Sequence, residues 1–241
     1  DHFDTVLCIG PYQIEEIQYR ENLKAINKKK LIKAGYFYFD YLRNKISLNK
    51  KFDEILIAPS WNYNERHFIN ENFEEIISFL LKKNFKVRFR PHPEHFKRSK
   101  IVLDRIKMNL NNNNFIFDVE TENKVSMENA KCLITDNSGI AIEYTLIFKR
   151  PVLYLTGNEK LHNKELDDYK DLVNFEDNIK KQFGYKFKSI DIENLDQLIN
   201  NSIINFLNKE SEIDKFVDIN FYNSNNTRAF FINNINDILY K

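Results

Sequence analysis

The chain has 241 residues, with 36 Lys and Arg against 35 Asp and Glu; a formal charge of +1 excludes general nucleic-acid binding, which normally needs a strong basic excess. Its 42% hydrophobic and 29% charged content is that of a folded protein rather than a disordered one, and its length can bury one large or two modest cores. No apolar run approaches the length that spans a bilayer and no signal peptide opens the chain. Cys8 and Cys132 sit in apolar, strand-like settings and point to a reduced cytoplasmic pair rather than a disulfide. A chain that opens at Asp1 rather than Met is expected to be a processed or cut fragment.

Residues 4–10 read as a strand ending on Gly10, and Pro11–Leu23 as a helix with Glu15, Glu16 and Glu21 on its polar side. A short strand over 31–36 follows the basic run Lys28-Lys29-Lys30, and the mixed patterning of 36–49 reads as a connector. One strand–helix–strand cannot form a domain alone, so this opening is expected to be the tail of something larger.

From Glu54 the alternation becomes regular. A strand over 54–58 ends in the turn Pro59-Ser60-Trp61-Asn62, and a helix over 70–83 carries Phe73, Ile76, Ile77, Leu80 and Leu81 at core spacing. A strand over 86–90 runs into Pro91-His92-Pro93, a helix over 97–110 follows, and then come a strand over 115–119 and a short helix over 126–130. Cys132 to Thr135 is a buried strand, Asp136-Asn137-Ser138-Gly139 a tight polar turn, and Ile140, Tyr144 and Phe148 share one face of the next helix. A strand over 152–155 closes the series. This alternation predicts an α/β fold, a doubly wound parallel sheet of Rossmann type with right-handed crossovers. Beyond Thr156 the signal weakens: 158–171 reads as a loop leading into a helix, 194–208 as a helix, and 211–241 as one or two more, the last over 227–239.

Ligands of such sheets sit at the carboxyl ends of the strands, which singles out Ser60-Trp61, the stretch from Arg90 to Pro93, and the turn from Asp136 to Gly139. The last of these opens a helix, where free N–H groups and the positive end of the dipole favour an anion, and Gly139 is expected to let backbone approach it closely. Lys86, Arg88 and Arg90 share one face of their strand, within a stretch from Lys82 to Lys100 that holds eight basic residues and one acidic, Glu94. His92, stiffened between two prolines at a strand's carboxyl end, suits contact with a pyrophosphate, where it could neutralise a leaving phosphate or donate a proton to it. Glu143, one turn beyond Gly139, can accept both hydroxyls of a ribose. His95 is a candidate support for His92, whereas His67 and His162 have no nameable partner. No metal-ligand pattern, Walker loop or Ser/His/Asp spacing occurs, and no cofactor is expected.

Arg90-Pro91-His92-Pro93, Thr135-Asp136-Asn137-Ser138-Gly139 and Lys149-Arg150-Pro151-Val152 together resemble the CDP-glycerol glycerophosphotransferase (teichoic-acid polymerase-like) family. Its architecture is GT-B, two Rossmann-like domains facing across a cleft. Ala58-Pro59-Ser60-Trp61 is similar to that family's Ala-Pro-Thr-Trp turn. The resemblance implies three parts: residues 1–50 as a remnant of the N-terminal domain plus linker, 51–210 as a nucleotide-donor-binding domain, and 211–241 as helices packing back toward the N-terminal part. In that case apolar surface from Phe37, Phe39 and Tyr41 is expected to need cover. By position it implies His92 as the catalytic histidine at the donor pyrophosphate. Ser60, Trp61, Arg90, Asn137, Ser138 and Gly139 would line the donor site, with Glu143 on the ribose. The donor would be CDP- or UDP-linked and the acceptor a surface glycan, with peripheral attachment to the inner face of the membrane through a segment outside this chain. Two departures stand out, Gly139 where the family commonly has Ser and Glu143 where it has Asp. Across 136–143 the chain is closer to the non-hydrolysing UDP-N-acetylglucosamine 2-epimerases, and that enzyme or a silent nucleotide-binding module is the alternative. Because GT-B chemistry takes place between two domains, the chain alone is expected to be catalytically silent.

Overall fold

The computed structural model describes residues 3–46, 52–61, 71–110, 112–157 and 174–240. The chain divides into two compact units, Asp1–Ile46 with Glu210–Lys241, and Ser47–Lys209.

In the first unit β1 (Thr5–Cys8) and β2 (Lys30–Lys33) pair in parallel around α1 (Pro11–Leu23). Pro11 starts the helix because its fixed φ suits the first turn and its missing N–H is one that a helix start leaves unbonded. The preceding Gly10 is required by space, since a Cβ there would lie 1.8 Å from the carbonyl oxygen of Asn220. Glu21 does not lie on a polar side: it is 5% exposed and its Oε1 accepts the Lys29 N–H at 2.7 Å. The expected connector over 36–49 contains a helix instead, α2 (Phe37–Lys45). Its reasons are distant in sequence. The buried Asp40 carboxylate accepts the N–H groups of Asn225 (3.0 Å) and Thr227 (3.1 Å) and the Thr227 hydroxyl (2.6 Å), capping the helix Thr227–Tyr240 from outside. Phe39 stacks on Phe221 with ring centroids 5.0 Å apart, so the cover expected to come from elsewhere comes, for this residue, from the chain itself. Phe37 and Tyr41 remain exposed.

The second unit holds a six-stranded parallel sheet. Its elements are β3 (Glu54–Ile57), α3 (Glu71–Lys82), β4 (Lys86–Phe89), α4 (Pro93–Arg98), α5 (Lys100–Asn109), β5 (Phe115–Phe117), α6 (Lys124–Asn129), β6 (Ala130–Thr135), α7 (Ile140–Phe148), β7 (Val152–Leu155), α8 (Phe175–Phe183), β8 (Gly184–Phe187) and α9 (Leu195–Phe206), with a 3₁₀ turn Ser189–Asn194 before the last. The strand order is β5-β4-β3-β6-β7-β8, every pair parallel. Chain order therefore reverses between β3 and β6, which is where doubly wound sheets open a ligand crevice. Ile55, Ile57, Val87, Phe89, Cys132 and Ile134 face one layer, formed by α3, α5 and α9, where Ile76, Ile77, Leu80, Ile106, Leu195 and Ile199 are fully buried. Each such side chain contributes about 1.5–3 kcal/mol on burial. Against the opposite face, the Tyr144 hydroxyl donates to the Ala130 carbonyl at 2.9 Å. The buried Arg150 guanidinium donates to the carbonyls of Met127 (3.2 Å), Glu128 (2.8 Å) and Ala130, closing the negative end of α6.

Two expectations change in this unit. The single helix over 97–110 is two helices, because Pro93 and a cap at His92 start α4 early and Ser99, with φ −125° and ψ 30°, ends it. The sixth strand, β8, and the helix before it lie where the sequence signal weakens. That helix is started by Asn174, whose side chain accepts the N–H groups of Glu176 and Asp177. The loop expected over 158–171 lies outside the described residues, as do His67 and His162.

Candidate functional site

The carboxyl ends of β4, β3 and β6 are neighbours, so the sheet brings the three sequence-predicted turns together at one edge. At the reversal point the turn after β3 is tied to the turn after β6 by one carboxylate. Asp136 Oδ1 accepts the Ser60 N–H at 2.7 Å and Oδ2 accepts the Ser60 hydroxyl at 2.9 Å, with both residues buried. Just before these residues in the chain, the Thr135 hydroxyl donates to the Ala58 carbonyl at 2.6 Å. Ser60 is thus placed as a strut of the crevice.

Trp61 extends from that strut and stacks on His92, ring centroids 6.3 Å apart and planes 18° from parallel, while the Arg98 guanidinium lies 5.3 Å from the Trp61 ring. His92 is exposed, and its position is set by α4, which it caps: its Nδ1 accepts the Glu94 N–H at 3.2 Å. A neutral ring that accepts at Nδ1 carries its hydrogen on Nε2, so Nε2 is the nitrogen able to donate to a ligand. The His92 N–H in turn donates to His95 Nδ1 at 3.2 Å. Burial, and then the nearby His92, depress the His95 pKa to about 4, which keeps this ring neutral and able to accept.

The turn 136–139 leads into α7. The Ala141 N–H donates to Ser138 O and the Ile142 N–H to Gly139 O, both at 3.1 Å, and no side chain caps the helix among the described residues. Two first-turn N–H groups are thus already used inside the turn, and what this helix start offers an anion is the positive end of its dipole and the turn backbone just ahead of Ala141. Gly139 is exposed in ordinary right-handed conformation (φ −59°, ψ −22°), and a Cβ on it would meet nothing within 4 Å. The backbone thus makes no demand for glycine, and the serine common in the resembled family fits the same place. Lys180, from α8, donates to Asn137 Oδ1 at 2.6 Å and adds a cation beside the turn. Glu143, half-buried on α7, accepts the Asn123 side-chain N–H at 3.3 Å.

The basic face of β4 differs from the sequence picture. Arg88 binds Glu54 through two bonds (2.6 and 3.2 Å) and lies 3.7 Å from Asp118. Burial works against its charge, yet Glu54 and Asp118 together hold its pKa above the usual arginine value. Arg90 reaches Asp118 at 3.1 Å, Ser126 Oγ at 3.4 Å and the Thr121 carbonyl at 3.3 Å. Asp118 is wholly buried and also accepts the Ser126 hydroxyl and the Glu120 N–H. Lys86 pairs with Asp53, and Lys97 and Arg98 with Glu94. Of the positive charge counted along 82–100, Lys83, Lys86, Arg88 and Arg90 are answered by carboxylates outside that window and Lys97 and Arg98 by Glu94 within it.

Sequence reasoning put Asp136 in the turn without a role and missed Asp118 and Lys180. Asp118 had a signal, an acidic residue at the carboxyl end of a predicted strand. Lys180 had none, since its approach depends on α8 folding back onto the turn. Among the described residues no group of three or more His, Cys, Asp or Glu could hold a metal ion, and no helix is long and apolar enough to cross a membrane.

Residues 27–216 match the family model of CDP-glycerol:poly(glycerophosphate) glycerophosphotransferase, well over half of the 241. The chain belongs to that family. Among solved structures it is similar to the wall teichoic acid polymerase TagF, with TM-score 0.52 and 18% identity over 99% of this chain and 59% of that one. A TagF variant soaked with CDPG matches with TM-score 0.50 at 18% identity, over 99% of this chain and 58% of that one. The UDP-GlcNAc 2-epimerase of Methanocaldococcus jannaschii, in complex with UDP-GlcNAc and UDP, matches with TM-score 0.50 at 17% identity, over 85% and 54%. At these identities the likeness is one of fold, and it is the GT-B fold expected from the sequence. The chain spans about three-fifths of the TagF length it matches. No curated protein matches it.

Proposed function

We propose that this chain is the donor-binding part of a transferase that moves glycerol phosphate, another polyol phosphate or a sugar from a CDP- or UDP-linked donor to a cell-surface glycan. The observation that carries this reading is the gathering of the turns 58–61, 90–93 and 136–139 on three adjacent parallel strands, at the reversal of strand order. There the donor pyrophosphate meets the backbone of the turn 136–139, at the positive end of the α7 dipole, and His92 Nε2–H, both suited to negative charge. Family membership supports glycerol phosphate and CDP over the other donors. The acceptor glycan, and work at the inner face of a membrane, belong to the same proposal.

A thermal-shift series with CDP, UDP, CMP, GDP and ADP tests it. Ligand at a hundredfold excess over its dissociation constant stabilises by about 2.7 kcal/mol, and CDP is expected to give the largest rise. A UDP response well above that of CDP points to a UDP-linked donor, and interconversion of that donor without any acceptor favours the epimerase-like reading. No rise with any nucleotide at millimolar concentration, on verified folded protein, removes the donor-site reading.

A further inference from the structure

We infer that Asp136 is a positioning residue, a bracket that holds the anion turn and the Trp61–His92 stack at a fixed spacing across the crevice. This rests on the donor-site reading above and adds to it a residue that touches no donor. The carboxylate belongs to the turn after β6, and it grips the turn after β3 twice, at the Ser60 N–H and the Ser60 hydroxyl. The very next residue on one side is Asn137, which begins the stretch leading to the α7 N-terminus. On the other it is Trp61, whose ring lies against His92. A displacement of Ser60 is therefore passed to His92 through one stacked ring. Both bonds are out of water, with Ser60 1% and Asp136 7% exposed, where charge-assisted bonds are short and directional. At a reversal of strand order the chain leaves the two adjacent strands in opposite directions along the sheet, and a gap opens between their carboxyl ends. A side-chain tie is a local means of fixing the width of that gap.

The test uses the full chain, whose only tryptophan is Trp61, so that its fluorescence reports on this stack alone. Asp136→Asn keeps the shape but turns one acceptor into a donor facing a donor. Ser60→Ala removes one of the two bonds and leaves the backbone one. Ser60→Thr keeps both. With inorganic pyrophosphate and CDP as probes, Asp136→Asn and Ser60→Ala are each expected to weaken binding about tenfold. Both should also red-shift Trp61 emission and raise its quenching by acrylamide in the ligand-free chain, and Ser60→Thr should restore each reading toward wild type. If Asp136→Asn does not fold, Ser60→Ala against Ser60→Thr decides alone. Folded variants with wild-type affinity and unchanged emission overturn the inference. So does weaker binding with unchanged emission, because Asp136 would then act on its own turn only. A wild-type chain that binds neither probe overturns the donor-site reading instead, and Trp61 emission of the ligand-free variants still decides whether the bracket exists.

Discussion

His92 carries two tasks on one ring, and they can be separated. Nδ1 caps α4 while Nε2 keeps the hydrogen assigned above to the donor, so His92→Ala loses both the cap and the ligand donor. Asparagine is among the best caps but has no group in the place of Nε2. His92→Asn should leave the melting temperature near wild type and weaken CDP binding about tenfold by calorimetry, whereas His92→Ala should in addition cost about 1 kcal/mol of stability. Equal CDP affinity in His92→Asn and wild type would make the residue a cap and nothing more. His95 gives the chain a defined acid sensitivity. Its pKa is about 4 folded against an ordinary 6.5, because burial and the charge of His92 disfavour protonation. Between those values the unfolded chain binds the extra proton, so stability is full above about pH 6.5 and falls as the pH drops toward 4, by about 3 kcal/mol in all. In His95→Asn, which keeps an acceptor for the His92 N–H, urea midpoints measured from pH 7 to 4 should show that part of the slope missing. An unchanged slope would assign the acid sensitivity elsewhere.

Among elements, the junction of β4, β5 and α6 depends on one carboxylate. The Asp118 side chain is fully buried and answers Arg90 at 3.1 Å and Arg88 at 3.7 Å, whose side chains are both only 13% exposed, and it receives the Ser126 hydroxyl from α6. Asp118→Ala leaves the Arg90 guanidinium without its carboxylate, while Arg88 keeps Glu54, and should cost about 3 kcal/mol in urea unfolding, the low end of the range for breaking a buried ion pair from one side. A loss under about 1 kcal/mol would mean that water reaches these guanidiniums. The same junction shows what a sequence can disclose about such a site. The turns at 60–61, 90–93 and 136–139 were legible because they are local: small, polar or proline-rich residues at the ends of apolar runs. The α1 bounds and the strands β3, β4 and β7 were legible from the same local patterning. What decides the use of each residue there is not local. Arg90 looked available until Asp118 was placed beside it, and Ser60 looked available until Asp136 crossed from another strand. Likewise α2 could not be seen in 36–49, because its central Asp40 answers residues 225 and 227.

At the scale of the whole molecule, two units with separate cores make a mapping of the ligand informative. Every candidate donor contact belongs to Ser47–Lys209. Hydrogen exchange with and without CDP should therefore show new protection at residues 58–61, 90–93 and 137–143 and none along β1 or β2. Protection appearing first in β1 and β2 would place the nucleotide in the other unit. The make-up of that other unit has a temporal meaning. Its β1–α1–β2 segment is completed from the far end of the chain, where the Tyr222 N–H donates to the Ile9 carbonyl at 2.8 Å and the Asn223 side chain donates to the carbonyls of Lys33 (2.7 Å) and Ala34 (3.1 Å). A ribosome adds about 5–20 residues each second, so Cys8 and Ala34 wait on the order of ten seconds or more for residues 210–240 to emerge. The interval between them and that closing segment is occupied by the entire parallel sheet, which can fold while they wait. Residues 5–34 are thus made well before the segment that completes them, and during synthesis their open backbone groups must be kept from other partners for that whole interval.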